Sequence, residues 1–170
     1  MHNNLQTTLQ HVQNSPTFKA WLADHPSAYL SSFFKIIEGQ DVDWWQLDFY
    51  YPKGDTITSF VVDDKVKLAT KDSAVFKKPE DAVQALDLTS VSIDIKKALH
   101  VAQELQKEKY NTEKPSKTIV LLQTITRTMW NISFLTNNFK LVNIRVDAKT
   151  GDVLEDSIVP LFDWGKQKAS

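Results

Sequence analysis

Trp45-Gln-Leu-Asp-Phe-Tyr-Tyr51 and Trp130-Asn-Ile-Ser-Phe-Leu-Thr136 are two versions of one strand pattern, and their flanks repeat as well. Val62-Asp63 follows the first Trp and Val146-Asp147 the second, at distances that differ by one residue. Leu68 then leads to Phe76, and Leu154 to Phe162, over the same eight-residue step. A Trp-x-apolar-x-Phe strand, a second apolar strand ending in Val-Asp, a turn and a third strand thus recur in the same order. Self-similarity of this kind dictates architecture before any local propensity does. In the first copy Trp45, Leu47 and Phe49 alternate with Trp44, Gln46 and Asp48, the two-residue period of a half-buried strand.

Outward from these strands, residues 3–13 and 16–24 read as helices. Ser15 before Pro16 is an N-cap and first-turn pair, and Phe18, Trp21 and Leu22 share a face. Pro26 stops that helix. Ala28 to Glu38 reads as a strand, Pro52-Lys53-Gly54-Asp55 as a hairpin turn, Thr56 to Asp63 as a strand, and Lys65 to Thr70 as a short one. Lys78-Pro79-Glu80-Asp81 starts a short helix within a linker. Ser92 reads as the N-cap of the longest helix, 93–109, with Ile95, Ala98, Leu99, Ala102 and Leu105 as its apolar stripe. Strands follow near 117–125, 128–136, 139–147 and 152–159. Each half is a helix followed by an antiparallel meander of three to four strands, which makes the fold class α+β.

The chain has 170 residues, 42% of them hydrophobic, with five Trp, four Tyr and nine Phe, enough for a globular core. Subdomains of roughly 75–80 residues have marginal cores alone, so the halves are expected to pack together. A formal net charge of −1 gives no electrostatic basis for nucleic acid or an anionic membrane as partner. The apolar runs are too short for a membrane span. No cysteine is present, which excludes disulfides, thiolate catalysis and Cys-ligated metal. Met1-His2-Asn3-Asn4 lacks the basic start and apolar core of a signal peptide, so the protein as written is expected to be cytoplasmic. If an export signal has been removed, the expectation becomes extracytoplasmic.

The segment from Ser92 to Ala102, with its Ile and its Ala98-x-x-x-Ala102 pair, resembles the helix that opens a PepSY domain. Leu141-Val-Asn-Ile-Arg-Val-Asp-Ala-Lys-Thr-Gly-Asp-Val-Leu154 resembles that family's closing hairpin, whose signature is Val-Asp-Ala-x-Thr-Gly-x-Val, and Trp130 to Phe134 sits where the family has its central strand. The resemblance covers about residues 88–160. Residues 1–76 join it only through the internal repeat, because Asp63-Asp64-Lys65 lacks the Thr-Gly insertion. The resemblance implies a degenerate PepSY-like repeat over 1–76, a linker with a short helix over 77–91, and a PepSY-like repeat over 92–170, in a PepSY- or cystatin-like fold. It further implies a module that inhibits or modulates peptidases in an extracytoplasmic setting, with no catalytic residues to transfer.

Residue chemistry points the same way. Asp147-Ala-Lys-Thr-Gly-Asp152 has the oxygen donors of a calcium loop, but Lys149 puts a positive charge at a ligand position. A turn capped by Asp147, with Gly151 at positive φ, is expected instead. His2, His11, His25 and His100 are too scattered for zinc, so no metal and no cofactor are expected. Asp48 with His25 is the one conceivable acid–base pair, yet Asp48 alternates outward on its strand toward solvent, and no enzyme is expected. Asn131-Ile132-Ser133 matches a glycosylation acceptor inside a strand, where a glycan would break sheet packing.

Trp44 and Tyr50 remain as candidate binding residues, on the sheet face away from the helix. That face either contacts a partner or packs against the other repeat or a twofold mate. The expected function is a non-catalytic binding or modulating module for a peptide or protein, through a sheet edge or a sheet face. A second copy of the chain is a further candidate partner. The alternative is a small-molecule-binding protein or enzyme with a pocket between helix and sheet, lined by Trp21, Trp45 and Phe49.

Overall fold

The computed structural model describes residues 4–75 and 82–162. The chain is α+β. Contacts divide it into two units, Met1–Lys35 with Val42–Leu88, and Ile36–Asp41 with Thr89–Ser170. The division falls inside the 77–91 segment that the sequence suggested, but the first unit is interrupted at Ile36–Asp41. Phe76 and Lys78 to Asp81, which carried part of the repeat and the linker helix, lie outside the described residues.

The first unit opens with α1 (Leu5–Asn14) and α2 (Pro16–Asp24). Each starts where a side chain satisfies the orphan amides of a first turn. Asn4 Oδ1 accepts from Gln6 N at 3.0 Å, and Ser15 Oγ accepts from Phe18 N at 3.1 Å. Strands β1 (Tyr29–Ile37), β2 (Trp45–Tyr51), β3 (Thr56–Val62) and β4 (Val66–Ala74) follow. Pairing is antiparallel in the order β4-β3-β2-β1. Cross-strand partners share a face. Trp45 opposite Val62 and Leu47 opposite Phe60 therefore build one buried layer together with Phe49. Phe18 and Trp21 of α2 close on it, with ring centroids 4.8 Å from Phe49 and 5.4 Å from Phe60 respectively. The strand after Asp63 was expected to be short, from Lys65 to Thr70. β4 instead runs to Ala74, with register breaks on either side of Ser59.

In the second unit a single 3-10 turn (Leu88–Ser90) precedes α3 (Ile95–Lys109), then β5 (Pro115–Thr124), β6 (Thr128–Thr136), β7 (Lys140–Asp147) and β8 (Val153–Pro160). The antiparallel order is β5-β6-β7-β8. Asp94, not Ser92, caps α3, through a 2.8 Å bond from Lys97 N. The two residues before it are committed elsewhere: Ser92 N and Ile93 N both donate to Ala148 O, and Ile93 O accepts the Trp130 indole N–H at 2.8 Å. The helix buries Ile95, Ala98, Ala102 and Gln106. Leu99 and Leu105 of the expected stripe are half-buried, and His100 is exposed. Below lie Trp130 opposite Val146, Ile132 opposite Ile144 and Phe134 opposite Val142, all buried. Leu68, Leu154 and Phe162, which helped to define the repeat, are exposed and lie outside this core.

Gly151 takes φ +82, as the turn reading requires. A Cβ there would meet Ile93 Cδ1 at 3.6 Å, an ordinary contact, so only the backbone resists substitution. Gly151→Ala is expected to cost about 1–2 kcal/mol, the left-handed penalty of an L-residue. Urea unfolding measures it, and an unchanged midpoint would contradict the assignment.

Candidate functional site

The two residues proposed from sequence as a binding face are placed differently from that expectation. Trp44 is half-buried just ahead of β2, and its N–H donates to Val42 O. Tyr50 is buried, with 8% of its surface accessible, so it is not an exposed anchor. Alternation correctly turned it away from Phe49, but two neighbours cover it. Tyr29, its cross-strand partner, meets it edge-on at 5.6 Å. Asp55 from the β2–β3 turn accepts its hydroxyl at 2.5 Å.

The Tyr50–Asp55 bond, with burial added, pushes the phenol up to about 12. Burial, with a bond to Asp156, does the same for Tyr110. A raised phenol contributes stability that is present below its unfolded value near pH 10 and lost as pH rises through the folded value. Absorbance at about 295 nm should therefore show these two phenolates forming later than ordinary tyrosines, toward about pH 12. Ionisation of all the tyrosines near pH 10 with the fold intact would contradict both bonds.

Asp48 and His25 do not meet. The Asp48 carboxylate is half-buried rather than solvated, accepting from Ser59 Oγ at 2.6 Å, Ser32 Oγ at 2.8 Å and Gln46 Nε2 at 2.9 Å. His25 is buried, stacked on Trp21 at 4.5 Å. Its Nδ1 faces Trp21 O and its Nε2 faces Asp72 Oδ1, each at 2.8 Å. Both ring nitrogens are occupied and the ring is covered, so His25 pins β4 to α2 and presents no atom to a substrate. Sequence reasoning missed Asp72, whose left-handed backbone (φ 50) brings its carboxylate to the helix. Trp21, Trp45 and Phe49 are packed in the core, with between 2% and 6% of their surface accessible.

The Asp147 turn is closed by its own backbone. Oδ1 accepts from Lys149 N at 2.7 Å and Thr150 N at 3.1 Å, and Oδ2 from Arg127 at 3.1 Å. Burial pushes this carboxyl up, but the two backbone N–H groups and the guanidinium outweigh it and hold it below its usual range. Millimolar calcium is expected to leave the melting temperature unchanged, because a cation would have to displace these donors. A rise of several degrees would contradict the turn reading.

The unit's exposed apolar surface lies elsewhere. β8 has a strand partner, β7, on one side. Val153, Leu154 and Ile158 on β8 are exposed, as are Phe139 and Phe162. Leu161 N donates to Phe139 O at 2.8 Å, which brings these last two chain segments together. Phe139 is three-quarters exposed at φ 57, an uncommon backbone for a bulky side chain. The acids of β8 are engaged: Glu155 with Arg145 at 3.2 Å, and Asp156 with Lys109 at 2.6 Å. The Lys109 and Tyr110 bonds to Asp156 hold it below the usual carboxylate range. β4, paired with β3 on one side, carries Lys67 and Lys71 along with its register breaks, all features that blunt an edge.

No protein-family model and no curated protein matches this chain. A solved structure from Clostridium difficile 630, described as a putative lipoprotein, is similar over 84% of this chain and 90% of its own, at 15% identity and a TM-score of 0.46. Among the described residues no helix is long and apolar enough to cross a membrane, and no group of three or more His, Cys, Asp or Glu side chains is placed to hold a metal.

Proposed function

We propose that the chain is a duplicated, PepSY-like binding module without catalytic activity, and that it takes up an extended peptide segment of a partner protein along β8. The duplication is supported by register: each repeat Trp stands opposite the Val of its Val-Asp, Val62 in one unit and Val146 in the other. The PepSY-like reading of the second unit is supported by Ala98 and Ala102, both fully buried.

The observation that carries the function is β8 itself. An edge strand offers unpaired N–H and C=O groups that template another strand, and proteins normally guard such edges with charge or bulges. β8 has one register break against β7, at its start between Arg145 and Val146; beyond it the acids are neutralised by Arg145 and Lys109, and apolar side chains are exposed beside them. The strained, exposed Phe139 at the end of the same sheet adds an aromatic anchor of the kind that dominates binding energy. Function thereby moves from the Trp44 and Tyr50 face to the edge.

Selecting displayed random peptides on the full chain tests this reading. Binders are expected to alternate apolar side chains. The Leu154→Lys, Ile158→Lys double variant should weaken them by about tenfold or more. Trp44→Ala should leave them unaffected. Binders lost with Trp44→Ala and indifferent to β8 would reverse the assignment.

A further inference from the structure

A second place in the same unit, independent of β8, gathers charged and hydroxyl side chains around a cleft. A cleft of about 430 Å³ opens where the β5–β6 and β7–β8 turns meet the 3-10 turn. It is lined by Ser90, Thr124, Thr126, Arg127, Thr128, Asp147 and Lys149. The chemistry is unusually uniform, with two cations, four hydroxyls and one carboxylate.

The carboxylate is already spent. Both oxygens of Asp147 are filled by Lys149 N, Thr150 N and Arg127, so it orients the guanidinium and offers little to a cation. Arg127 spends one N–H on Asp147, and its side chain is 59% exposed. Lys149 brings a second positive charge, so Arg127, Lys149 and Asp147 together leave one surplus positive charge in the cleft. The Thr124 and Thr128 hydroxyls bond each other at 2.9 Å, which uses only one hydrogen of the pair and leaves the other to donate.

We propose that this cleft binds a phosphoryl group. A phosphoryl presents three strong acceptor oxygens. Donors arriving from three chain segments suit it better than the two coplanar oxygens of a carboxylate. The combination of an Arg fork with a Lys point charge is the usual cationic complement of phosphate. The volume exceeds that of a free ion and leaves room for an organic remainder.

Titrating the isotope-labelled full chain at low, matched ionic strength with inorganic phosphate, phenyl phosphate, acetate and sodium chloride tests the site. The amides of Ser90, Thr124 to Thr128 and Lys149 are expected to shift saturably with the phosphates. Tighter binding of phenyl phosphate identifies an esterified phosphoryl, and tighter binding of inorganic phosphate the free ion. Lys149→Ala, at a turn position whose backbone makes the Asp147 bond, should keep the spectrum of the fold and weaken binding about tenfold, the loss of one charge-assisted bond. Equal shifts with acetate or chloride, or unchanged binding by Lys149→Ala, would overturn the proposal. Neither result bears on β8.

Discussion

Trp130→Ala is expected to cost about 3–5 kcal/mol, the range for truncating a large buried aromatic. Trp130 is fully buried in the layer beneath α3, opposite Val146 on one side and Leu122 on the other. Its indole N–H also holds Ile93 O, the last carbonyl before the α3 cap. Removing it therefore opens a cavity and takes the indole donor away from the Ile93 carbonyl, in the segment that joins helix to sheet. For a chain of this length the loss corresponds to roughly 6–20 °C in melting temperature. Circular dichroism through a thermal scan measures it. A loss under about 1 kcal/mol would mean that this layer is not the core of the unit.

Phe60→Ala should cost a similar amount, about 3–5 kcal/mol, in the first unit. Phe60 has no accessible surface and meets Phe18 at 5.3 Å, Trp21 at 5.4 Å and Phe49 at 5.8 Å. All three contacts are edge-on, an arrangement that aromatic quadrupoles favour. One ring thus ties α2 to β2 and β3. Phe60→Leu, which keeps most of the volume, should recover much of the loss. If Phe60→Leu is as damaging as Phe60→Ala, ring geometry outweighs cavity volume here. If neither matters, α2 does not depend on this cluster.

The strands that bury one face could be read from the sequence, because a two-residue period records which side chains leave water. That is why β2, β6 and β7 fall within a residue or two of their expected limits. β4 carries almost no buried side chain, so backbone pairing alone defines it and its pattern is silent over Thr70 to Ala74. The start of α3 was displaced because Ser92 and Asp94 are both competent caps. The choice between them is made by sheet contacts of Ser92 and Ile93, which no local pattern encodes.

The candidate site was less legible for a related reason. Alternation assigns Tyr50 to a face but cannot say whether that face is covered, and Tyr29 and Asp55 cover it. The His25–Asp72 pair spans 47 residues and depends on a left-handed residue within a strand, a choice made by tertiary structure. That β8 lies last among the described strands follows from strand order, which repeats and periodicity leave undetermined.

Amide hydrogen exchange of the full chain, with and without a peptide selected on it, tests the proposed role of β8 most directly. If a partner strand adds to this edge, amides within Val153 to Ile158 that point away from β7 should gain protection on binding, and alternate amides of the peptide should gain it with them. Protection gained on β4, around Trp44, or nowhere on β8 would contradict the account.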